Sequence, residues 1–172
     1  MLDEDISELL TKVKVLNDEL RASNPPPEAT GHSTEQPIIY MSLVKGTRGY
    51  IEKLSHQING TYEHGWYDGC AVMTRRLIET LIIECFESKG IAHKIQNPTG
   101  DFVYLSDLIS TTLSETSWNI GRNAKKSLNA LKDIGDKSAH SRRFIAQRRD
   151  IDKVMADIRN VVQELIYLAS LK

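Results

Sequence analysis

The chain has 172 residues, of which 40% are hydrophobic and 26% charged, and its formal net charge is −1. That length supports one domain with a sizeable core, and the composition excludes fibrous or wholly disordered material. Near-zero charge excludes global attraction of nucleic acid, so an anionic partner would have to be held by local basic clusters.

Residues 3 to 21 carry Ile6, Leu9, Val13, Leu16 and Leu20 at alternating spacings of three and four, one side of an amphipathic helix. The stripe is only about two heptads long, too short for a stable coiled coil by itself. It is expected to dock on the main body, pair with its twin in a homodimer, or hook a partner protein. Residues 23–37 contain Pro25-Pro26-Pro27 and Pro37 with few apolar side chains, the composition of a mobile linker. The expected organisation is therefore an N-terminal amphipathic helix over 1–22, a linker over 23–37 and a helical domain over 38–172.

Within that domain, Thr47 is expected to cap a short helix carrying Tyr50 or Ile51, Leu54 and Ile58, which Asn59-Gly60 should end. From about His64 to Ser88 two adjacent apolar rows appear: Trp66, Cys70, Met73, Leu77, Leu81 and Cys85, then Tyr67, Ala71, Ile78, Ile82 and Phe86. A face that wide belongs at the centre of a bundle, with Gly90 as left-handed C-cap. Its polar remainder is Asp68, Arg75, Arg76, Glu79, Glu84 and Glu87, with Arg75 and Arg76 one turn from Glu79. After the break at Asn97-Pro98-Thr99-Gly100, Phe102, Leu105, Leu108 or Ile109 and Leu113 mark a third core helix, and Trp118 in the following connection should lie over the core. A helix over about 122–139 turns Ala124, Leu128, Leu131, Ile134 and Ser138 inward. Gly135 lies inside it at a cost of about 1 kcal/mol relative to alanine, so it marks close packing, a bend or the helix end. The last helix should start with Asp150 as N-cap and bury Ile151, Val154, Ile158, Val161 or Val162, Leu165 and Leu168. No stretch alternates like a strand, and the short connections predict an all-α bundle, mostly antiparallel.

Little chemistry is signalled by spacing. The five histidines, His32, His56, His64, His93 and His140, show no zinc pattern, and no cofactor motif is present. Cys70 and Cys85 are roughly 22 Å apart along one helix, too far to bridge, and lie in the apolar rows as buried thiols. With no apolar run near the ~20 residues of a membrane span, a reducing cytoplasmic setting without a membrane partner is expected. The segment Gly135-Asp136-Lys137-Ser138-Ala139-His140 is the most suggestive. Asp136 is one turn before His140 and can accept its proton; the helix C-terminus favours the imidazolium. Cleaving a phosphodiester would need a proton acceptor together with cations to stabilise charge on phosphate oxygens, which Arg142, Arg143, Arg148 and Arg149 could supply.

Two strings, GWYDGCAVMTRRLIETLIIECFESKGI and LNALKDIGDKSAHSRRF, resemble a bacterial branch of the HEPN superfamily (higher eukaryotes and prokaryotes nucleotide-binding) over roughly residues 40 to 170. The resemblance implies an up-and-down helical bundle that commonly dimerises. Many members are metal-independent endoribonucleases of phage defence, toxin–antitoxin pairs or RNA processing. Their signature is an arginine, usually a polar residue, and a histidine about four to six positions on. His140 and Asp136 match the histidine and the polar position, but Gly135 takes the arginine's place. Lys132 is the nearest upstream cation, and a lysine is a point charge where arginine offers a planar fork. Arg142 or Arg143 could substitute, or Arg75 or Arg76 from the central helix, with Glu79 beside them. Two readings follow. One is a non-catalytic HEPN-like module binding a partner protein, nucleotide or RNA. The other is a divergent ribonuclease using His140 with Arg142 or Arg143.

Overall fold

The computed structural model of the chain describes residues 11–15 and 36–172. Residues 11–15 are helical, and Val13 of the predicted stripe is 61% exposed. The rest of the predicted N-terminal helix and most of the predicted linker lie outside the described residues. From residue 36 onward the fold is an all-α bundle of seven α-helices: α1 (Met41–Val44), α2 (Gly49–Glu63), α3 (Tyr67–Ser88), α4 (Leu105–Ser114), α5 (Arg122–His140), α6 (Arg148–Asp152) and α7 (Met155–Leu168). A 3-10 turn, Ala92–Ile95, lies between α3 and α4, and an isolated bridge joins Gln96 to Phe102.

Helix α3 is the centre, as its wide apolar face predicts. It touches α2, α4, α5, α6, α7 and the 3-10 turn. Leu77, Ile78, Leu81, Ile82, Cys85 and Phe86 are wholly buried on it. Burying each large apolar side chain is worth about 1.5–3 kcal/mol, which is why this helix holds the others. It ends as expected: Gly90 adopts φ 69°, the Ile91 amide donates to the Phe86 carbonyl at 3.0 Å and the Gly90 amide to Glu87 at 3.0 Å. Trp118 lies over the core as predicted, its ring edge-on to Phe86 with centroids 4.9 Å apart and its indole N–H on the Thr112 carbonyl at 3.1 Å.

Several local expectations are corrected. Thr47 caps nothing; its hydroxyl turns back to the Val44 carbonyl at 2.6 Å, and α2 begins after Arg48. Asn59-Gly60 does not end α2, which runs to Glu63, because the Asn59 amide is consumed elsewhere. It donates to the Ile39 carbonyl at 2.8 Å and accepts the Ile39 amide at 2.9 Å. Asp150 is not an N-cap; Gln147 holds that position, and Asp150 accepts its amide at 3.0 Å from inside α6. The last predicted helix is interrupted at Lys153-Val154, where the Val154 amide reaches back only three residues to Ile151. Phe102 lies outside α4. Glu84, expected on the polar side of α3, is buried and takes the Tyr50 hydroxyl and, at 3.5 Å, Arg48.

Candidate functional site

The segment around Gly135 is built by the contact of α5 with α3. Gly135 is buried, and a β-carbon there would stand 2.6 Å from Cβ of Arg75 and 3.1 Å from the carbonyl oxygen of Ala71. Of the three roles open to this glycine, close packing is the one it has. The missing side chain lets the stem of Arg75 cross α5, and its Nε donates to Oδ1 of Asp136 at 2.6 Å. Nη1 of the same guanidinium lies 3.4 Å from Glu79, and Lys132 Nζ reaches the other Asp136 oxygen at 2.8 Å and Asp133 at 3.4 Å. Two cations thus sit among three carboxylates, and both Asp136 oxygens are occupied. Partial burial pushes the Asp136 carboxyl up, but hydrogen bonds from Lys132 and Arg75 outweigh it and hold the group below its ordinary value. The Lys132 ammonium is held up mainly by its bond to Asp136. A carboxylate so held is a poor base.

His140 stands apart from this network. It is the last residue of α5 and exposed, and none of the hydrogen bonds among the described residues joins it to Asp136. The expected pair is replaced by Arg75–Asp136 and Lys132–Asp136 because two permanently charged donors reach the two carboxylate oxygens in a partly buried place, while the His140 ring stays in solvent. Beyond His140 the chain is extended at Ser141, whose hydroxyl accepts the Phe144 amide at 3.2 Å. Arg142, Arg143 and Arg149 are exposed and take part in no ion pair among the described residues. Arg148 is committed elsewhere, 3.6 Å from Asp152 and 5.9 Å above the Tyr62 ring. Arg76 is exposed and, unlike Arg75, does not join Glu79. The structure therefore brings Arg75, Glu79, Lys132 and Asp136 together and leaves His140, Arg142 and Arg143 at the solvent edge.

Other candidates are quickly placed. Cys70 and Cys85 are buried and unbridged, and burial pushes both thiols up to about 12, so neither is a nucleophile. No group of three His, Cys, Asp or Glu side chains among the described residues could hold a metal, and no described helix is long and apolar enough to cross a membrane. Asp136 itself lines none of three clefts: one of 540 Å³ beside Tyr167 and Asn160, one of 470 Å³ beside Trp118 and Ser170, and one of 320 Å³ beside Asp133, Lys137 and Phe144.

Two features escaped the sequence reading. Tyr62 gives its hydroxyl to Asp152; burial first, and that bond second, push it up to about 12. Trp66, expected in the inner apolar row, is instead 48% exposed, with the His64 ring tilted against it at 5.1 Å. The signal was Gly65, whose φ of 75° starts α3 after Trp66 and takes the indole out of helical phase. No protein-family model, curated protein or solved structure matches this chain.

Proposed function

We propose that this chain is a non-catalytic HEPN-like binding module for RNA, gripping phosphates with Arg142 and Arg143 at the end of α5. The observation that carries the reading is the burial of Gly135 against Arg75 and Ala71. An arginine at that position has no room, so the cation of the family's catalytic pair is missing where it would be needed. The nearby cations Arg75 and Lys132 are spent on Asp136. Arg142, Arg143 and Arg149 of the connection after His140 are exposed and take part in no ion pair among the described residues, which suits phosphate contacts that position a strand without acting on it. The reading extends to a homodimer in a bacterial defence or RNA-related setting, which the HEPN resemblance implies, and to a reducing cytoplasm, which the two unbridged cysteines suit. A two-fold axis would also give the N-terminal stripe a surface to cover.

Fluorescence anisotropy with a labelled RNA tests it. The wild-type chain should bind in a salt-dependent way, and Arg142→Ala/Arg143→Ala should weaken binding and reduce the slope of log affinity against log salt by about 1.4 for a single strand. The RNA should stay intact in EDTA. Cleavage in EDTA that His140→Ala abolishes would overturn the non-catalytic reading and establish the second one. There exposed His140 handles the proton and Arg142 or Arg143 stabilises the phosphate charge.

A further inference from the structure

The turn between α2 and α3 is gripped from both sides by the chain that follows His140. On one side the Ala146 amide donates to Oδ1 of Asp68 at 3.0 Å. On the other, Tyr62 gives its hydroxyl to Asp152, and the Arg148 guanidinium lies 5.9 Å above the Tyr62 ring. Between these anchors stand His64, Gly65 and Trp66. The turn is held rigidly: the Trp66 amide donates to the Thr61 carbonyl at 2.8 Å, and the His64 ring nitrogen Nδ1 lies 2.7 Å from the Gly60 carbonyl. A carbonyl only accepts, so Nδ1 carries a proton. The two rings are in tilted contact, with centroids 5.1 Å and planes 32° apart. Trp66 is 48% exposed, and Ile145, between the half-buried Phe144 and the buried Ala146, is 75% exposed.

A lone exposed apolar side chain is ordinary. An exposed aromatic ring held in a turn beside a basic connection offers what an unpaired base needs, because every base has a π-face and its neighbours carry phosphates. The run from Ser141 to Arg149 holds four arginines and no carboxylate, and Arg142, Arg143 and Arg149 have no ion-pair partner among the described residues. An apolar peptide would have no use for those charges, and a duplex has its bases already stacked. We infer that the α2–α3 turn and the α5–α6 connection form one surface for single-stranded nucleic acid, with an unpaired base stacked on the His64–Trp66 pair and flanking phosphates on Arg142 and Arg143. The inference rests on the RNA-binding reading and names the strandedness and the stacking residue.

Anisotropy of the full chain with a short labelled oligoadenylate, and with a duplex of the same length, tests it. Trp66→Ala should weaken oligoadenylate binding about ten-fold or more and leave duplex binding unchanged, while Trp66→Phe should retain most of the affinity. In a Trp118→Phe background, where Trp66 is the sole tryptophan, the oligonucleotide should quench the indole fluorescence. If Trp66→Ala binds like the wild type while Arg142→Ala/Arg143→Ala does not, the stacking surface is wrong and the RNA-binding reading stands. Equal affinity for single strand and duplex, or an unquenched Trp66 at saturation, would likewise overturn the inference. Failure of the wild type to bind either nucleic acid overturns both.

Discussion

Asp136 is the residue on which the region around His140 depends. Its two oxygens join α5 to α3 through Arg75 and tie Lys132 along the same face. Replacing it with asparagine keeps the shape and removes the charge. That leaves Arg75 with Glu79, at 3.4 Å, as its remaining ion pair and takes from Lys132 its charged acceptor at position 136, and the loss should be about 1–3 kcal/mol near neutral pH, toward the lower end because the side chains are partly solvated. The folded carboxyl titrates below its ordinary value, so its contribution is present above the unfolded value of about 4 and is lost as pH falls through the folded one. Urea unfolding of the wild type and Asp136→Asn should therefore differ near pH 7 and converge in strong acid. A gap that is constant with pH would show that charge is not its origin. These partners were only half legible in the sequence. Arg75, Glu79, Lys132 and Asp136 are recognisable as candidates, but the spacing of Asp136 and His140 suggests a pair that a competing guanidinium from another helix prevents. No helical periodicity could announce that Glu84 turns inward to meet Tyr50 and Arg48.

The contact of α3 with α5 is set by the absence of a side chain. Gly135→Ala would gain about 1 kcal/mol of helix propensity, yet its β-carbon would meet Arg75 Cβ at 2.6 Å and the Ala71 carbonyl at 3.1 Å. Neither neighbour is the free end of a flexible chain, so the helices must move apart, at about 1–3 kcal/mol. Overpacking wins, and the variant should melt several degrees lower; an unchanged or raised melting temperature would mean the helices separate freely. At this scale the sequence is most readable where periodicity is sustained. The apolar rows of α3 and the inner stripe of α5, with Ala124, Leu128 and Leu131 buried, lie where the spacing puts them. It is least readable where one hydrogen bond decides. The four-residue α1, the 3-10 turn and the break at Lys153-Val154 leave no periodic trace, and Trp66 leaves the row its spacing suggests because α3 starts after it.

For the whole molecule, all-α character follows from the recurrent three-and-four spacing and is what the described chain has. The function is less legible, because a charge near zero says nothing of how cations are distributed. Arg75, Lys132, Arg148 and Arg159 are consumed internally, the last by the carbonyls of Pro37 and Ile38 at 2.6 and 3.0 Å, while Arg142 and Arg143 face outward. The pairing of Asn59 with Ile39 has a further consequence, for chemical ageing. An asparagine followed by glycine in a loose chain cyclises readily, as the glycine nitrogen attacks the side-chain carbonyl and ammonia leaves. Here Gly60 lies inside α2, and the Asn59 amide is held at both ends by backbone groups of another segment, so that ring cannot close in the folded chain. Aspartate or isoaspartate at position 59 should appear only in molecules that have opened there. Peptide mapping of stored protein, with and without mild denaturant, should find deamidation climbing with denaturant, and equal rates in both would show that the bond to Ile39 opens freely in the native state.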